Sequence, residues 1–304
     1  MMSPSKEGVL LRIIGGFGDV LSEDGEETRC RIRGKFKLKN DSLLVGDWVR
    51  ITVINSGEGV IEEILPRHNR IWRPSVANLD QLLAVVSAQS PPPDWLLLDR
   101  QLVQAEKCGI DPLICVNKID MLTKEELKQI KEKLNYLPYP SLLTVAISGD
   151  GISKLEKSLQ GKTTVLAGPS GSGKSTLLNS LQPELQLETA EVSHKLNRGK
   201  HTTRRVELFP LKNGGLVVDT PGFSKLSLPV DAENLTHEDL ELGNLFPEFE
   251  ELTGGCKFRS CLHENEPDCA VREAAEKSEI SPQRYQHYLL FLKEIREEQA
   301  KRMR

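Results

Sequence analysis

The chain has 304 residues, of which 38% are hydrophobic and 28% are charged. This composition is typical of a soluble globular protein and excludes wholesale disorder, while the length suggests about two domains or three small ones. Because 40 basic and 44 acidic side chains give a formal net charge of -4, the chain is not a polycation that coats nucleic acid, and any such contact must be local.

The sequence predicts a cytoplasmic protein without a membrane span. Its longest apolar run, residues 82–88, is far shorter than the roughly 20 residues that cross a bilayer. Residues 1–7 have no apolar signal-peptide region and no small-residue cleavage site. Six cysteines are too few for a disulfide scaffold. Three of them fall on separate predicted elements and are expected to be ordinary core residues, namely Cys30, Cys108 and Cys115.

Residues 1–72 predict a small all-β barrel of the OB type. Short strands are expected at 9–14, 28–39, 48–55 and 59–64, separated by turns that contain Gly and Asp. Cations occupy every second position of the second strand, at Arg29, Arg31, Arg33, Lys35, Lys37 and Lys39. On a strand they would share one face, where like charges repel unless an anion compensates them. We expect this face to bind RNA phosphates, and the alternative is a plain solvated face.

From residue 82 the pattern changes to alternating strands and helices. Continuous apolar strands are predicted at 82–88, 112–116, 142–147, 163–167 and 215–218, and helices at 95–108, 124–134, 152–159 and 175–181. Buried strands interleaved with helices indicate a parallel sheet covered on both faces. We therefore expect a barrel over 1–72, an α/β nucleotide-binding domain over 73–228 and a mainly helical metal-binding domain over 229–304.

A phosphate-binding loop follows the strand at 163–167. It fits G-x-x-x-x-G-K-[ST] and leads into a Leu-rich helix, which is the context this motif needs. Lys174 would reach the β- and γ-phosphates and Ser175 would hold Mg2+. Nucleotide contacts are expected from Gly168, Ser170, Gly171, Ser172, Gly173, Lys174, Ser175 and Thr176.

Two further motifs indicate guanine and the γ-phosphate. Asn117-Lys118-Ile119-Asp120 fits N-K-x-D, and the Asp120 carboxylate can accept hydrogen bonds from the guanine N1–H and 2-amino groups. Asp219-Thr220-Pro221-Gly222 fits D-x-x-G, where Asp219 would contact Mg2+ and the Gly222 N–H would meet the γ-phosphate. Ser148 fits a weaker base-contact loop, and an ordinary turn serine is an equal alternative.

These motifs stand in a rearranged order. Ras-like GTPases run from the P-loop through switch I and D-x-x-G to N-K-x-D, whereas here N-K-x-D and Ser148 precede the P-loop. The order indicates a circularly permuted G domain, which is tolerable because the site is made of loops on one sheet edge. The residues of the P-loop are also compatible with a nucleotide kinase or a transporter ATPase, which remains an alternative.

A compact cysteine and histidine cluster follows the G domain. Cys256, Cys261, His263 and Cys269 place three thiols and one imidazole within a short segment, which is the ligand set of a structural Zn2+ site with four protein ligands. The final segment, residues 285–304, is expected to be either a solvated amphipathic helix or an RNA-contacting one.

The permuted order, the N-terminal barrel and the cysteine cluster together resemble the bacterial small-ribosomal-subunit-dependent GTPase A family, of the RsgA and YjeQ type. The resemblance implies a late assembly factor of the 30S subunit that contacts 16S rRNA and whose slow GTPase the ribosomal particle stimulates. It also implies that Gly199-Lys200-His201-Thr202-Thr203 is switch I. Thr202 or Thr203 would then complete the Mg2+ shell when GTP is bound.

Phe223 follows D-x-x-G where Ras-like enzymes have the glutamine that orients water. A phenyl ring cannot do this, so intrinsic hydrolysis is expected to be slow. His201 is the candidate for the catalytic role, together with Lys174, and the alternative for His201 is an exposed loop residue. We expect a monomer that binds GTP or GDP. A second hypothesis is an RNA-binding module in which the nucleotide is only a structural ligand.

Overall fold

The computed structural model describes residues 5–37, 42–72, 75–185, 206–218 and 242–302. The strands in these ranges are β1 Ser5–Ile14, β2 Phe17–Ser22, β3 Glu27–Ile32, β4 Trp48–Asn55, β5 Glu58–Ile64, β6 Arg70–Trp72, β7 Ser75–Ala77, β8 Gln81–Ser87, β9 Asp111–Asn117, β10 Ser141–Thr144, β11 Thr163–Ala167, β12 Leu208–Pro210 and β13 Leu216–Val218. The α-helices are α1 Trp95–Cys108, α2 Lys124–Asn135, α3 Ile152–Leu159, α4 Lys174–Leu181, α5 Pro247–Thr253, α6 Ala270–Glu276 and α7 Pro282–Arg302. Short 3-10 helices are Gly34–Lys37, Ile119–Met121, Pro183–Leu185 and Gly243–Leu245.

The N-terminal strands form a closed five-stranded barrel in the order β1-β2-β3-β5-β4. Only β3 and β5 run parallel, and the other neighbours are antiparallel. Alternate residues point inward, so the interior is filled by apolar side chains that include Leu10, Val20, Ile51 and Ile61. The predicted all-β barrel is confirmed, with β2 as a strand that the sequence reading missed.

The prediction of one strand over 28–39 is wrong in its second half. β3 ends at Ile32, and Gly34–Lys37 turns into a 3-10 helix that begins with a hydrogen bond from the Phe36 N–H to the Arg33 carbonyl. Glycine weakens a strand, and the turn inserts the Phe36 ring into the barrel core. The free energy gained by burying this ring favours the turn over continuation of the strand that the alternating charges predict. The cations therefore do not share one strand face.

The central sheet has six strands in the order β10-β9-β8-β11-β13-β12. All neighbours are parallel except β12 and β13. Every residue of β8 is buried, because successive side chains enter the cores on opposite faces. Helices α1 and α2 cover one face and α3 and α4 cover the other. The predicted parallel sheet with helices on both faces is confirmed, and its strands end at the edge where α/β folds bind ligands.

Local signals explain where the helices begin and end. The Asp94 side chain accepts a hydrogen bond from the Leu97 N–H at the start of α1, and Gly109 ends that helix in the left-handed conformation. Thr123 and Glu126 form a reciprocal capping box at the start of α2. No helix among the described residues is both long and apolar enough to cross a membrane.

The C-terminal helices α5, α6 and α7 pack around an aromatic core. Phe246 stacks on Phe249 with ring centroids 5.1 Å apart, and the Tyr288 ring meets both of them edge-on. The same core includes Val103 of α1. The C-terminal region is thus packed directly against the G domain.

A buried cation joins the C-terminal region to α1. Arg284 of α7 is 1% exposed. Its Nη1 lies 2.6 Å from Asp99 Oδ1 of α1, and its Nε pairs with Glu248 of α5. His287 Nδ1 lies 2.5 Å from the other Asp99 oxygen. Because buried charges are costly unless they are paired, this arrangement holds α1, α5 and α7 in one relative position.

We expect Arg284→Met to lower the free energy of unfolding by about 3–5 kcal/mol, because Asp99 and Glu248 would lose the guanidinium that compensates them. Unfolding in guanidinium chloride, followed by circular dichroism, measures the change. The matched control is Arg272→Met, since Arg272 lies 3.8 Å from the exposed Glu276 and should cost less than about 1 kcal/mol. Equal losses in the two variants would contradict the role of Arg284.

Candidate nucleotide and metal sites

The P-loop occupies the turn between β11 and α4. At two of its positions neighbouring atoms lie so close to the backbone that only glycine fits. Gly168 has a φ of 144°, and a Cβ there would lie 2.3 Å from the Val85 carbonyl oxygen. Gly173 has a φ of 97°, and its Cβ would lie 2.3 Å from Asn117 Nδ2. The loop therefore runs against the end of β8 and against the N-K-x-D segment.

Lys174 begins α4 and folds back over the loop. Its Nζ lies 2.9 Å from the carbonyl oxygens of both Gly168 and Pro169. Ser175 and Thr176 follow in the first helical turn and are half-buried. The first N–H groups of a helix have no acceptor in a preceding helical turn, so this end of α4 can offer backbone donors together with an ammonium group. That combination suits a polyphosphate.

The Asn117 side chain joins the N-K-x-D segment to two other loops. Asn117 ends β9 and is 1% exposed. Its Nδ2 donates to the Ser172 carbonyl at 3.1 Å. Its Oδ1 accepts from Thr144 Oγ1 at 3.2 Å and from the Ala146 N–H at 3.1 Å. One buried amide thus links the P-loop to the loop that follows β10.

Lys118 adds a second link to the P-loop. Its Nζ lies 2.6 Å from the Gly171 carbonyl oxygen and also donates to the Ser90 carbonyl. Lys118 has a φ of 66°, in the left-handed region. The chain then enters the 3-10 helix that carries Asp120, whose side chain is exposed. The structure therefore brings the predicted N-K-x-D and P-loop residues together.

The Ser148 side chain bonds within its own turn, whereas neighbouring residues contact Asn117. Its hydroxyl donates to Asp150 Oδ2 at 2.8 Å, as in an ordinary turn. The sequence reading missed Thr144 and Ala146, which bond to Asn117, and Ser180, whose hydroxyl donates to the Ala146 carbonyl at 2.6 Å. In the sequence, the position of Thr144 at the end of an apolar strand is the feature that could have indicated these contacts.

The remaining predicted nucleotide residues lie outside the described part of the chain. They are His201, Thr202, Thr203, Asp219 and Gly222. The strand that leads to Asp219 is described, since β13 ends at Val218 and pairs in parallel with β11. Because β11 leads to the P-loop, the strands before D-x-x-G and before the P-loop are neighbours.

The cations of the barrel do not form an uncompensated row. Arg33 lies 2.5 Å from Glu62, and Lys35 Nζ lies 2.8 Å from the Glu62 carbonyl oxygen. Arg29 and Arg31 are exposed on β3, and the Arg29 guanidinium lies 5.0 Å from the centre of the Phe17 ring. The Lys37 side chain and Lys39 fall outside the described residues. The described contacts thus remove the argument from six aligned charges, and RNA binding by these residues stays a prediction.

The predicted metal ligands lie together in the loop between α5 and α6. One ligand atom from each of Cys256, Cys261, His263 and Cys269 lies within 4.8 Å of the others. His263 Nδ1 is 3.7 Å from Cys256 Sγ and 3.5 Å from Cys269 Sγ. Three cysteine sulfurs and one imidazole nitrogen at this spacing suit a tetrahedral ion such as Zn2+.

The electrostatics of the cluster also favour a cation. Burial raises the pKa of Cys261 to about 12 and also raises the pKa of Cys269, so a positive charge nearby would favour the thiolate form of both. Burial lowers the pKa of His263, which favours the neutral imidazole that binds metals. The Tyr285 hydroxyl donates a hydrogen bond to the His263 carbonyl at 2.7 Å, and the Tyr288 hydroxyl donates one to the Leu262 carbonyl at 2.6 Å. The residues present fit a metal ion.

A P-loop and an N-K-x-D loop meet at one sheet edge although the chain reaches N-K-x-D first. This arrangement defines a circularly permuted GTPase. The model of the RsgA GTPase family matches residues 64–229, and the model of the RsgA N-terminal domain matches residues 7–61. The chain belongs to the RsgA GTPase family. The division into 1–72, 73–228 and 229–304 stays a prediction.

Relatives of similar length extend the comparison over nearly the whole chain. The protein named small ribosomal subunit biogenesis GTPase RsgA from Caldanaerobacter subterraneus subsp. tengcongensis is 44% identical, over 97% of this chain and 98% of that protein. Its namesake from Moorella thermoacetica is 47% identical, over 95% of this chain and 97% of that protein.

Two crystal structures share the fold. YjeQ from Thermotoga maritima superposes with a TM-score of 0.82 at 35% identity, over 96% of this chain and 99% of that one. YloQ, described as a circularly permuted GTPase, gives a TM-score of 0.80 at 37% identity, over 97% of this chain and 96% of that one. The permuted G domain is therefore confirmed.

We expect Asn117→Ala to weaken GDP binding by about ten- to a hundredfold, because three hydrogen bonds that hold two loops together would be lost. Titration calorimetry with GDP measures the affinity. Asn135→Ala is the matched control, since Asn135 is the exposed last residue of α2. An unchanged GDP affinity in folded Asn117→Ala protein would refute the structural role of this amide.

We expect the purified protein to contain about one equivalent of zinc, and Cys261→Ser to lose it and unfold at a lower temperature, because a four-ligand site would be left with three. Elemental analysis by mass spectrometry and thermal unfolding measure the two effects. Cys108→Ser, on α1 outside the cluster, should keep its metal. Full metal retention in Cys261→Ser would show that Cys261 is not a ligand.

Proposed function

We propose that this protein hydrolyses GTP as an assembly factor of the small ribosomal subunit, and that the subunit stimulates its turnover. The proposal is supported above all by the contact of Asn117 and Lys118 with the P-loop, which brings together, from permuted segments, the residues we propose to bind guanine and phosphate. Relatives 44–47% identical over nearly all of this chain are named small ribosomal subunit biogenesis GTPases. Such a role implies a cytoplasmic location.

In this proposal the described residues bind the nucleotide at both ends. Asp120 accepts hydrogen bonds from the guanine N1–H and 2-amino groups, which adenine does not offer in that arrangement. At the other end, Lys174 leaves the carbonyls of Gly168 and Pro169 for the β- and γ-phosphates. The glycines let backbone N–H groups point at phosphate oxygens.

Magnesium is the ion expected with GTP in this family, and it would neutralise charge that develops on the phosphates. Ser175 would hold it, together with Asp219 and either Thr202 or Thr203. His201 would orient the attacking water, because Phe223 has no polar group with which to do so. Hydrolysis without the ribosomal partner is then slow.

The flanking domains would contact the ribosomal particle and its 16S rRNA. In the barrel, Arg29 and Arg31 are exposed and have no ion-pair partner within the described residues, whereas Arg33 is paired with Glu62. We propose that Arg29 and Arg31 contribute to RNA binding more than Arg33 does. In the C-terminal domain the cysteine cluster would hold one structural Zn2+, which stabilises a loop with few apolar residues. The protein would act as a monomer.

We expect purified small ribosomal subunits to raise the GTP turnover of this protein by about tenfold or more, because a partner that orders the catalytic groups is worth several kcal/mol. Phosphate release is measured with and without subunits. The stimulation should fall as salt is raised, since contacts with phosphates release counterions. Turnover that stays near zero with subunits would favour an RNA-binding module in which the nucleotide is structural.

His201→Ala tests the catalytic assignment within the same assay. Stimulated turnover should be lost while GDP affinity is kept, because the side chain acts on water and not on the nucleotide. His68→Ala, a matched change at an exposed histidine before β6, should leave both properties unchanged. Undiminished stimulation of His201→Ala would exclude the role.

A further inference from the structure

Among the described residues, one isolated β-bridge joins the barrel to the central sheet. Arg12 of β1 pairs with Glu207 in an antiparallel bridge, and Glu207 lies directly before β12. β12 is the edge strand of the six-stranded sheet. The first barrel strand thus lies against the edge strand of the G domain, with this residue pair as its backbone bridge.

The Arg12 side chain strengthens this bridge. Its Nη1 lies 2.7 Å from Glu207 Oε1, its Nε lies 2.5 Å from Asp19 Oδ2 of β2, and its Nη2 lies 2.9 Å from Glu27 Oε1 of β3. The hydrogen bonds that Arg12 donates to Glu207 and Asp19 raise its pKa further above the ordinary value. One guanidinium thus holds a carboxylate of the G domain together with two carboxylates of the barrel.

Apolar contacts surround the ion pair. Leu208 is buried in the same cluster as Val9 and Leu11 of β1, and Val206 and Leu21 pack against that cluster. Glu207 stands between two apolar neighbours and is about one-third exposed, with 31% of its side chain accessible. A charge pair with this shielding is worth more than a fully exposed one.

Chain connectivity links the bridge to both segments expected to hold magnesium. Glu207 follows Thr203 by four residues, a separation that an extended backbone covers in about 14 Å. Leu208 pairs with Val218, the residue before Asp219. The barrel therefore contacts the strand pair β12 and β13. In the sequence, switch I precedes β12 and the D-x-x-G segment follows β13.

We propose that Arg12 is a positioning residue: its ion pair with Glu207 transmits the binding of the barrel to the ribosomal particle into faster GTP hydrolysis. This inference rests on the proposed function, because it needs a turnover that the small subunit stimulates. Arg12 touches no nucleotide loop among the described residues. It acts by setting the position of Glu207 and of the strand that Glu207 begins.

The test compares charge reversals in the full-length protein. Glu207→Lys sets two cations against each other, and Glu63→Lys is the matched control, because Glu63 pairs with Arg50 of β4 and both residues lie within the barrel. GTP turnover is measured over a range of small-subunit concentrations, and GDP affinity is measured by calorimetry. Both variants add the same charge, so a general electrostatic effect on RNA binding would appear in both.

For Glu207→Lys we expect the stimulated maximal turnover to fall about tenfold, a loss of about 1.4 kcal/mol of coupling. The half-saturating subunit concentration, the unstimulated turnover and the GDP affinity should stay within about twofold. Glu207→Gln should recover part of the stimulation, because its amide oxygen still accepts a hydrogen bond from Arg12. Glu63→Lys should be stimulated like the wild type.

Each outcome separates this inference from the proposed function. A stimulated wild type with an equally stimulated Glu207→Lys would overturn the positioning role alone. A loss shared by Glu63→Lys, or one confined to the half-saturating subunit concentration, would also overturn it, since the effect would then be one of binding. A wild type that subunits do not stimulate would overturn the proposed function and this inference with it.

Discussion

The hydrogen bonds of one buried amide hold the nucleotide site of this protein together. Asn117 satisfies its polar atoms on the Ser172 carbonyl, on the Thr144 hydroxyl and on the Ala146 N–H. A buried amide that lost these partners would leave polar groups unsatisfied, so the loops stay together whatever their order in the chain. This is why a permuted G domain keeps its site: the loops depend on the sheet edge and on this amide, and the covalent order matters little.

Helix α1 connects the nucleotide loops to the C-terminal domain. It begins beyond the Ser90 carbonyl that Lys118 contacts, and its Asp99 receives Arg284 and His287 of α7. Buried pairs of this kind favour one relative arrangement of two domains because any other leaves a charge uncompensated. The metal cluster and the barrel thus flank a G domain to which both are packed, one through α1 and the other through the edge strand β12.

Local patterns predicted this fold where burial and periodicity agree, and failed where they compete. The uninterrupted apolar run predicted β8, and the alternation of strands and helices predicted α1 and α2, because each element follows from a pattern within one short segment. Alternating charges predicted a strand as far as residue 39. The chain turns after Ile32 because Phe36 enters the barrel core, and a ring buried by distant strands leaves no signal in the charge pattern.

The sequence by itself determined the class of protein and its metal cluster. Each diagnostic motif lies within a short stretch of sequence, so a change in the order of the segments leaves it intact. These motifs are the glycine spacing of the P-loop, the N-K-x-D segment and the four clustered metal ligands. Tertiary structure alone decided that Thr144 and Ala146 orient Asn117 and that Arg12 reaches Glu207. These pairs lie on different elements, and the packing of sheet, helices and barrel brings them within hydrogen-bonding distance.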